Sequence, residues 1–219
     1  TINHLQLIKI FDEKKIFLLK DPIIDIQKIE KLKKQKIDPY FEKNQFIVAI
    51  GRLTKQKNFK FLISCFQKLI VSQPNLKLAI IGDGEEMQNL KKLVQTKNLE
   101  NNIFLLGHLQ NVFSYLSRAK VFILSSLWED PGWVLLEAAA SNTLILSSDC
   151  KNGPSEIIDN NNAGQLYKSD DEQDFINKFN KIISLDKAQI NSKKLFAKKK
   201  SYSYTKFQHF KNLEEIISI

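Results

Sequence analysis

The chain has 219 residues, 43% of them hydrophobic, with 33 Lys and Arg against 24 Asp and Glu for a net charge of +9. Such a length and apolar content suit one sizeable domain, or one domain with remnants of another, and exclude global disorder. No apolar run reaches the roughly eighteen residues of a membrane span, and two cysteines, Cys65 and Cys150, make neither a disulfide framework nor a metal site and suit a reducing cytosol.

Residues 1–45 are the least regular. The start, TINHLQLIKIFDEKK, has no signal-peptide core and no initiator Met, so the chain is expected to be a piece of something longer. Ile16 to Leu19 could form a strand, left in extended backbone at Asp21-Pro22. Asp25 to Lys36 is a Lys-rich, helix-compatible segment that Asp38-Pro39 breaks.

From Phe46 the rhythm is regular. Residues 46–51 (FIVAIG) read as a strand ending in glycine. Asn58 can cap a helix whose apolar residues Phe59, Leu62, Ile63, Phe66, Leu69 and Ile70 recur at helical spacing. A second strand, 76–82, again ends in glycine, and Glu85 to Thr96 follows as a helix with Met87, Leu90, Leu93 and Val94 on one face. A third strand, 103–107, precedes a short helix through Val112, Phe113 and Leu116. Val121 to Leu124 is a fourth strand, apolar enough to be buried on both faces. A polar loop broken by Pro131 and Gly132 leads into a helix from Trp133 to Ala140, and Leu144 to Leu146 resumes the strand character. A loop, CKNGPSEII, and a last strand at 164–167 follow. The tail offers two amphipathic helical faces, one through Phe175, Ile176, Phe179, Ile182 and Ile183, the other from Tyr204 to Ile217. The basic run 193–204 between them reads as a solvated helix face rather than an RNA site.

Strands alternating with helices at this spacing predict an α/β fold: a doubly wound, Rossmann-like parallel sheet. Right-handed crossovers place the strand C-termini on one edge, where ligands of such sheets bind. The loops at that edge are 51–57, 82–85, 107–110 and 125–132. They hold the residues suited to chemistry. Arg52 and Lys57, after Gly51, can hold phosphate oxygens, although a solvated loop would look the same. Gly82 and Gly84 flank Asp83, where they could admit a ligand to the backbone or simply make a turn. His108 follows Gly107, more in the manner of a loop histidine than a ligand. Pro131-Gly132-Trp133 opens a helix whose free amides and positive end would seat a diphosphate. Glu129 and Glu137 bracket that junction with seven residues between them. A hydrolytic acid/base pair is one reading. Acceptance of ligand hydroxyls is the better one, because Glu137 is helix-borne beside an apolar face.

The order GRL…K, GDGEE and FILSS…EDPGWVLLEAAASNTLILSSD…GPSEI resembles the C-terminal, nucleotide-sugar-binding domain of retaining glycosyltransferases with the two-Rossmann, GT-B architecture. More narrowly it is similar to glycosyltransferase group 1, family 4, whose members build bacterial lipopolysaccharide, capsule and glycan chains. The match covers about residues 46–168, and the spacing of Glu129 and Glu137 is its most specific part. The resemblance implies that Arg52, Lys57 and the amides around Gly132, Trp133, Val134 and Leu135 hold the diphosphate of a UDP-, GDP- or ADP-linked sugar. It further implies that Glu137 bonds the ribose hydroxyls, that Glu129 bonds the transferred sugar and is the catalytic carboxylate, and that Gly82, Gly84 and His108 line the base pocket. No metal or other cofactor is implied, because the Arg/Lys pair and the helix end offset leaving-group charge.

Two departures mark a sub-branch: Asp130-Pro131-Gly132 where many relatives have phenylalanine and glycine, and Ala140-Ser141-Asn142 where they have Ala-Cys-Gly. Asn142 can take left-handed backbone in place of glycine. By the same resemblance, residues 1–45 are the remnant and linker of an absent N-terminal acceptor domain, 46–168 the donor domain, and 169–219 helices that pack on it and turn back toward the absent part. Apolar residues of 1–30 or 204–219 should then be exposed. The rival readings are a GT-B-like binding module without catalysis and a different GT-B enzyme such as a sugar-nucleotide epimerase. The net charge is expected to reflect either biased composition or contact with an anionic inner membrane face or phosphorylated ligand, in a cytoplasmic protein; nucleic acid is not expected as partner.

Overall fold

A computed structural model describes residues 16–218. Six parallel strands form one sheet: β1 (Phe46–Ile50), β2 (Lys77–Ile81), β3 (Ile103–Leu105), β4 (Phe122–Leu124), β5 (Ile145–Ser148) and β6 (Gln165–Tyr167), in the order β3-β2-β1-β4-β5-β6. The chain winds outward from β1 to β3, then returns to pair β4 with β1 and winds the other way. The strand order therefore reverses between β1 and β4, joined in register at Val48 and Phe122.

Period-two alternation splits the apolar residues between two layers. In β1, Ile47 and Ala49 pack under α3 (Phe59–Ser72), α4 (Met87–Thr96) and α8 (Glu172–Ile183). Phe46 and Val48 face the opposite layer. That layer comprises α1 (Ile26–Leu32), α2 (Pro39–Lys43), α5 (Phe113–Leu116), α6 (Trp133–Ala140), α7 (Pro154–Ile158) and α9 (Lys187–Tyr202). A sheet covered on both faces explains why its central strands β1 and β4 are continuous apolar runs.

Several local expectations are corrected. Ile16 to Leu19 is not a strand; the sheet ends at β3 and β6, and neither edge lies beside this segment. Asp38-Pro39 does not merely end a helix: Asp38 accepts a hydrogen bond from Tyr40 N at 2.8 Å and Pro39 opens α2, a first-turn position where its missing N–H costs nothing. Asn58 precedes α3 in left-handed backbone, with φ 51°, and its side chain bonds Asp170 at 2.9 Å instead of capping the helix. The loop after Cys150 contains α7, again opened by a proline. Asn142 does take the left-handed conformation, with φ 63°.

The basic run belongs to α9, which lies against α6 and buries Ala197 and Ser201. Its lysines are partly engaged: Lys193 donates to the Asn161 and Gly164 carbonyls, Lys198 pairs with Glu30 and Lys200 with Asp159. The last helix, α10 (Lys206–Ile217), buries no residue. It is held by Ile24 N donating to the Tyr204 carbonyl at 2.9 Å, and by His209 Nδ1 2.7 Å from the Lys20 carbonyl. Within the described residues the exposure expected of the two terminal segments is present, with Leu18 63% exposed, Phe207 79%, Phe210 61% and Ile217 74%; residues 1–15 of the first segment lie outside them.

Candidate functional site

The C-terminal ends of the strands are tied to one another. Gly51 N donates to the Ile81 carbonyl, Leu53 N to the Asp83 carbonyl and Gly82 N to the Gly107 carbonyl, all within 3.0 Å. Gly82 is required by this crowding. A Cβ there would lie 1.9 Å from the Gly51 oxygen, and its φ of 144° already disfavours a side chain. Gly84 meets the Leu53 backbone in the same way, at 2.6 Å. Both glycines thus press the second loop against the first.

The loop 51–57 is also stitched to the loop after β4. Ser125 Oγ donates to the Lys57 carbonyl at 2.7 Å, Leu127 N to the Gln56 carbonyl at 2.8 Å, and Gln56 Nε2 to the Trp128 carbonyl at 2.8 Å. This register carries Lys57 to Glu129. The ammonium lies 2.6 and 2.8 Å from the two carboxylate oxygens, with the side chains 13% and 4% exposed. The Ser126 hydroxyl donates to the same carboxylate. Glu129 N donates to the Lys151 carbonyl at 3.0 Å, so its backbone is fixed from the other side.

Gly132 turns the chain from this loop into α6. Its φ of 85° is left-handed, and a Cβ would press on the Glu129 side chain at 3.3 Å. One turn and a half into α6, Glu137 is half-buried. Burial pushes its carboxyl above the ordinary range, and neither a hydrogen bond nor a neighbouring charge offsets this. A carboxylate so placed can accept hydrogen bonds from the hydroxyls of a ligand.

These elements enclose a cavity of about 580 Å³ at the point where the strand order reverses, lined by residues of loop 51–57, of 128–132 and of the first turns of α6. Gly51, Arg52, Lys57, Glu129, Gly132, Trp133, Val134 and Glu137 are brought together in its wall. The other candidates are placed elsewhere. Leu135 is fully buried in the core beneath the helix, and Pro131 is half-buried in the loop outside the wall. Gly82, Gly84 and the exposed His108 sit at the same sheet edge on the loops after β2 and β3, outside the cavity. Among the described residues, no three His, Cys, Asp or Glu side chains cluster as a metal site would require.

The wall also contains Asp130, noted above only as a departure from relatives, and Ile50, Gln56 and Trp128, which no motif marked. Trp128 could have been found as a large aromatic set in a polar loop beside Glu129; it is 48% exposed. Ser126, fully buried behind Glu129, had only its place after an apolar strand to mark it.

Residues 30–200 match the family described as Glycosyl transferases group 1. An uncharacterized glycosyltransferase of Methanocaldococcus jannaschii is 39% identical over 140 residues, which is 62% of this chain and 34% of that protein. An alpha-1,4-N-acetyl-D-galactosaminyltransferase of Campylobacter jejuni, acting on a diphospho-undecaprenol-linked glycan by its name, is 31% identical over 183 residues, 82% of this chain and 50% of that protein. Of solved structures, a glycosyltransferase from Rickettsia africae superposes with a TM-score of 0.81 at 18% identity, covering 98% of this chain and 60% of that one. Staphylococcus aureus TarM, in a complex that includes UDP, superposes with a TM-score of 0.77 at 22% identity, covering 97% and 41%. The chain thus spans a third to a half of these curated relatives. With the sheet, the cavity at its switch point and most of α9 all inside the matched span, the chain belongs to the glycosyl transferases group 1 family.

Proposed function

We propose that this chain is the donor-binding part of a glycosyltransferase: it holds a nucleoside-diphosphate sugar in the 580 Å³ cavity and supports transfer with retention to an acceptor in glycan or polysaccharide assembly. One observation carries the reading. Two cations, Arg52 and Lys57, two carboxylates, Glu129 and Glu137, and the start of α6 face a single cavity at the switch point of a doubly wound sheet.

In this reading the diphosphate lies between Arg52, Lys57 and the amides at Gly132 to Val134, where helix-end and side-chain charge favour an anion. Glu137 accepts the ribose hydroxyls. Glu129, the catalytic carboxylate, contacts the hydroxyls of the transferred sugar. During transfer the bond between the anomeric carbon and the phosphate oxygen breaks, the bond to the acceptor oxygen forms, and the acceptor's hydroxyl proton passes to the departing phosphate oxygen. The charge growing on the phosphate is met by the cations, which is why no metal is called for. The UDP in the TarM complex supports a nucleotide sugar as the ligand.

The domain reading follows. Residues 46–168 form the donor unit, 169–219 the helices that brace it, and 1–45 the link to an acceptor domain that would also cover Phe207, Phe210 and Ile217. No helix among the described residues is long and apolar enough to cross a membrane; a cytoplasmic protein touching an anionic membrane face fits the +9 charge.

Titration calorimetry with UDP, GDP and ADP tests the reading. One nucleotide should bind the chain, and Glu137→Ala and Lys57→Ala should each weaken it at least tenfold. Absence of binding by these nucleotides and by their sugar-linked forms, or variants that bind as well as the parent, would remove the donor-site assignment.

A further inference from the structure

Lys57 and Glu129 are assigned above to different parts of one ligand, yet here each is the other's partner. The ammonium is held by both carboxylate oxygens, at 2.6 and 2.8 Å. Among the described residues the carboxylate has one further donor, the Ser126 hydroxyl. Glu129 is only 3% exposed, and Ser126 is fully buried. Ser126 is itself fixed, because its carbonyl accepts the Ser148 hydroxyl at 2.7 Å. Water therefore has little access to Glu129, and the loop has little room to carry it elsewhere.

A diphosphate arriving beside Arg52 competes for the same ammonium. If Lys57 turns to the phosphate, Glu129 keeps its charge, its burial and a single hydroxyl. A buried charge that loses its partner bears its full desolvation cost. A nucleoside diphosphate has nothing else to offer Glu129. A nucleoside-diphosphate sugar has hydroxyls that can take the place Lys57 leaves.

We infer that the Lys57–Glu129 pair is a specificity device that penalises a nucleoside diphosphate lacking its sugar and exempts the intact donor. This rests on the donor-site reading of the same cavity. Its consequence for turnover is direct: once the sugar has left, Glu129 recaptures Lys57 and the spent nucleoside diphosphate is expelled. A static pair in which Lys57 serves both carboxylate and phosphate with its three protons is the alternative, as is simple repulsion of the diphosphate by Glu129.

Calorimetry on the full chain separates these. UDP, GDP and ADP, with UDP-glucose, UDP-N-acetylglucosamine, GDP-mannose and ADP-glucose, are titrated into the wild type, Glu129→Gln, Lys57→Ala and the double variant. Glu129→Gln should bind the free nucleoside diphosphate at least about tenfold tighter, a floor set by an unsatisfied buried polar group, and should not bind the sugar-linked form tighter. In the Lys57→Ala background the same change should gain less than twofold. Ser126→Ala, which retains Lys57 and removes the last donor to Glu129, should weaken free diphosphate several-fold more than the sugar-linked form. Melting temperatures confirm which variants fold, and Ser126→Ala decides the matter if Lys57→Ala does not. No gain in Glu129→Gln, or a gain of equal size with and without Lys57, overturns the inference while leaving the donor site intact. A wild type that binds no nucleotide overturns the donor site, and the inference falls with it.

Discussion

Trp133, the first residue of α6, meets the ring of Tyr204 edge-on, 6.2 Å between centroids. Tyr204 is 9% exposed, carries the Lys20 ammonium 4.8 Å over its ring and accepts the Ile24 N–H through its carbonyl. The junction between α9 and α10, the segment before α1 and the mouth of the cavity therefore share one aromatic contact. Tyr204→Ala should cost about 3 kcal/mol in urea unfolding, the low end for emptying a buried aromatic site, and should loosen Trp133 enough to weaken nucleotide binding. Tyr204→Phe keeps the ring and should change neither.

Gly82 lines no part of the cavity, yet its substitution should damage the site. The Gly51 oxygen occupies the position a Cβ would take, at 1.9 Å. Gly82→Ala must push loop 51–57 away from β2 or strain its own backbone, at a cost of roughly 1–3 kcal/mol. Arg52 and Lys57 ride on that loop, so nucleotide affinity should fall along with the melting temperature. An alanine variant with wild-type affinity would mean that the loop is not braced from β2.

The sheet was legible because its inner strands are buried on both faces and the first three apolar runs each end in glycine. Runs such as FIVAI and KLAII admit few other placements once helices of fixed period lie between them. The wall of the cavity was legible where charge was out of place: Arg52 and Lys57 follow one apolar strand, Glu129 follows another, and Glu137 interrupts an apolar helix. Contacts that depend on two loops meeting were not. Nothing local says that Lys57 and Glu129, 72 residues apart, will pair, that Gly82 serves a neighbouring loop instead of a ligand, or that Asn58 will bond Asp170 instead of capping α3. Ile16 to Leu19 misled for the same reason, since an apolar run makes a strand only where a strand is waiting to pair with it.

The chain has two tryptophans, Trp128 and Trp133, and both line the cavity. Its tryptophan fluorescence is therefore a local probe. Binding of a nucleotide or nucleotide sugar should shift or quench the emission, and Trp128→Phe and Trp133→Phe should divide the response between the mouth and the helix start. Saturable binding in calorimetry with unchanged emission would put the ligand elsewhere.

The buried Lys57–Glu129 pair should dominate the stability of this edge of the sheet. Lys57→Ala leaves Glu129 charged and 3% exposed, and loss of one partner of a buried pair typically costs about 3–5 kcal/mol. The double variant Lys57→Ala/Glu129→Gln removes the stranded charge and keeps the Ser126 hydrogen bond, so it should recover more than half of that loss. Urea unfolding of the parent, the two single variants and the double variant gives the coupling directly. A double variant no better than Lys57→Ala would show the pair to be worth little.

Glu137 should make the domain less stable as pH rises. Burial holds its carboxyl above the ordinary value of 4.5, so the folded chain keeps this proton to higher pH than the unfolded chain does. Folding is then favoured by protonation: the contribution is constant below the unfolded value and declines as pH rises from about 4.5 through the folded one. Glu137→Gln has no such proton to lose. Its stability relative to wild type should therefore increase across that window and level off above it, measured by urea unfolding at a series of pH values. Nucleotide binding should run the opposite way. If the ionised carboxylate accepts ribose hydroxyls, the ratio of wild-type to Glu137→Gln affinity rises with pH over the same interval, and taking the ratio cancels the titration of the phosphate itself. A ratio that stays flat while the stability gap opens would leave Glu137 buried at the cavity wall but outside the ribose contact.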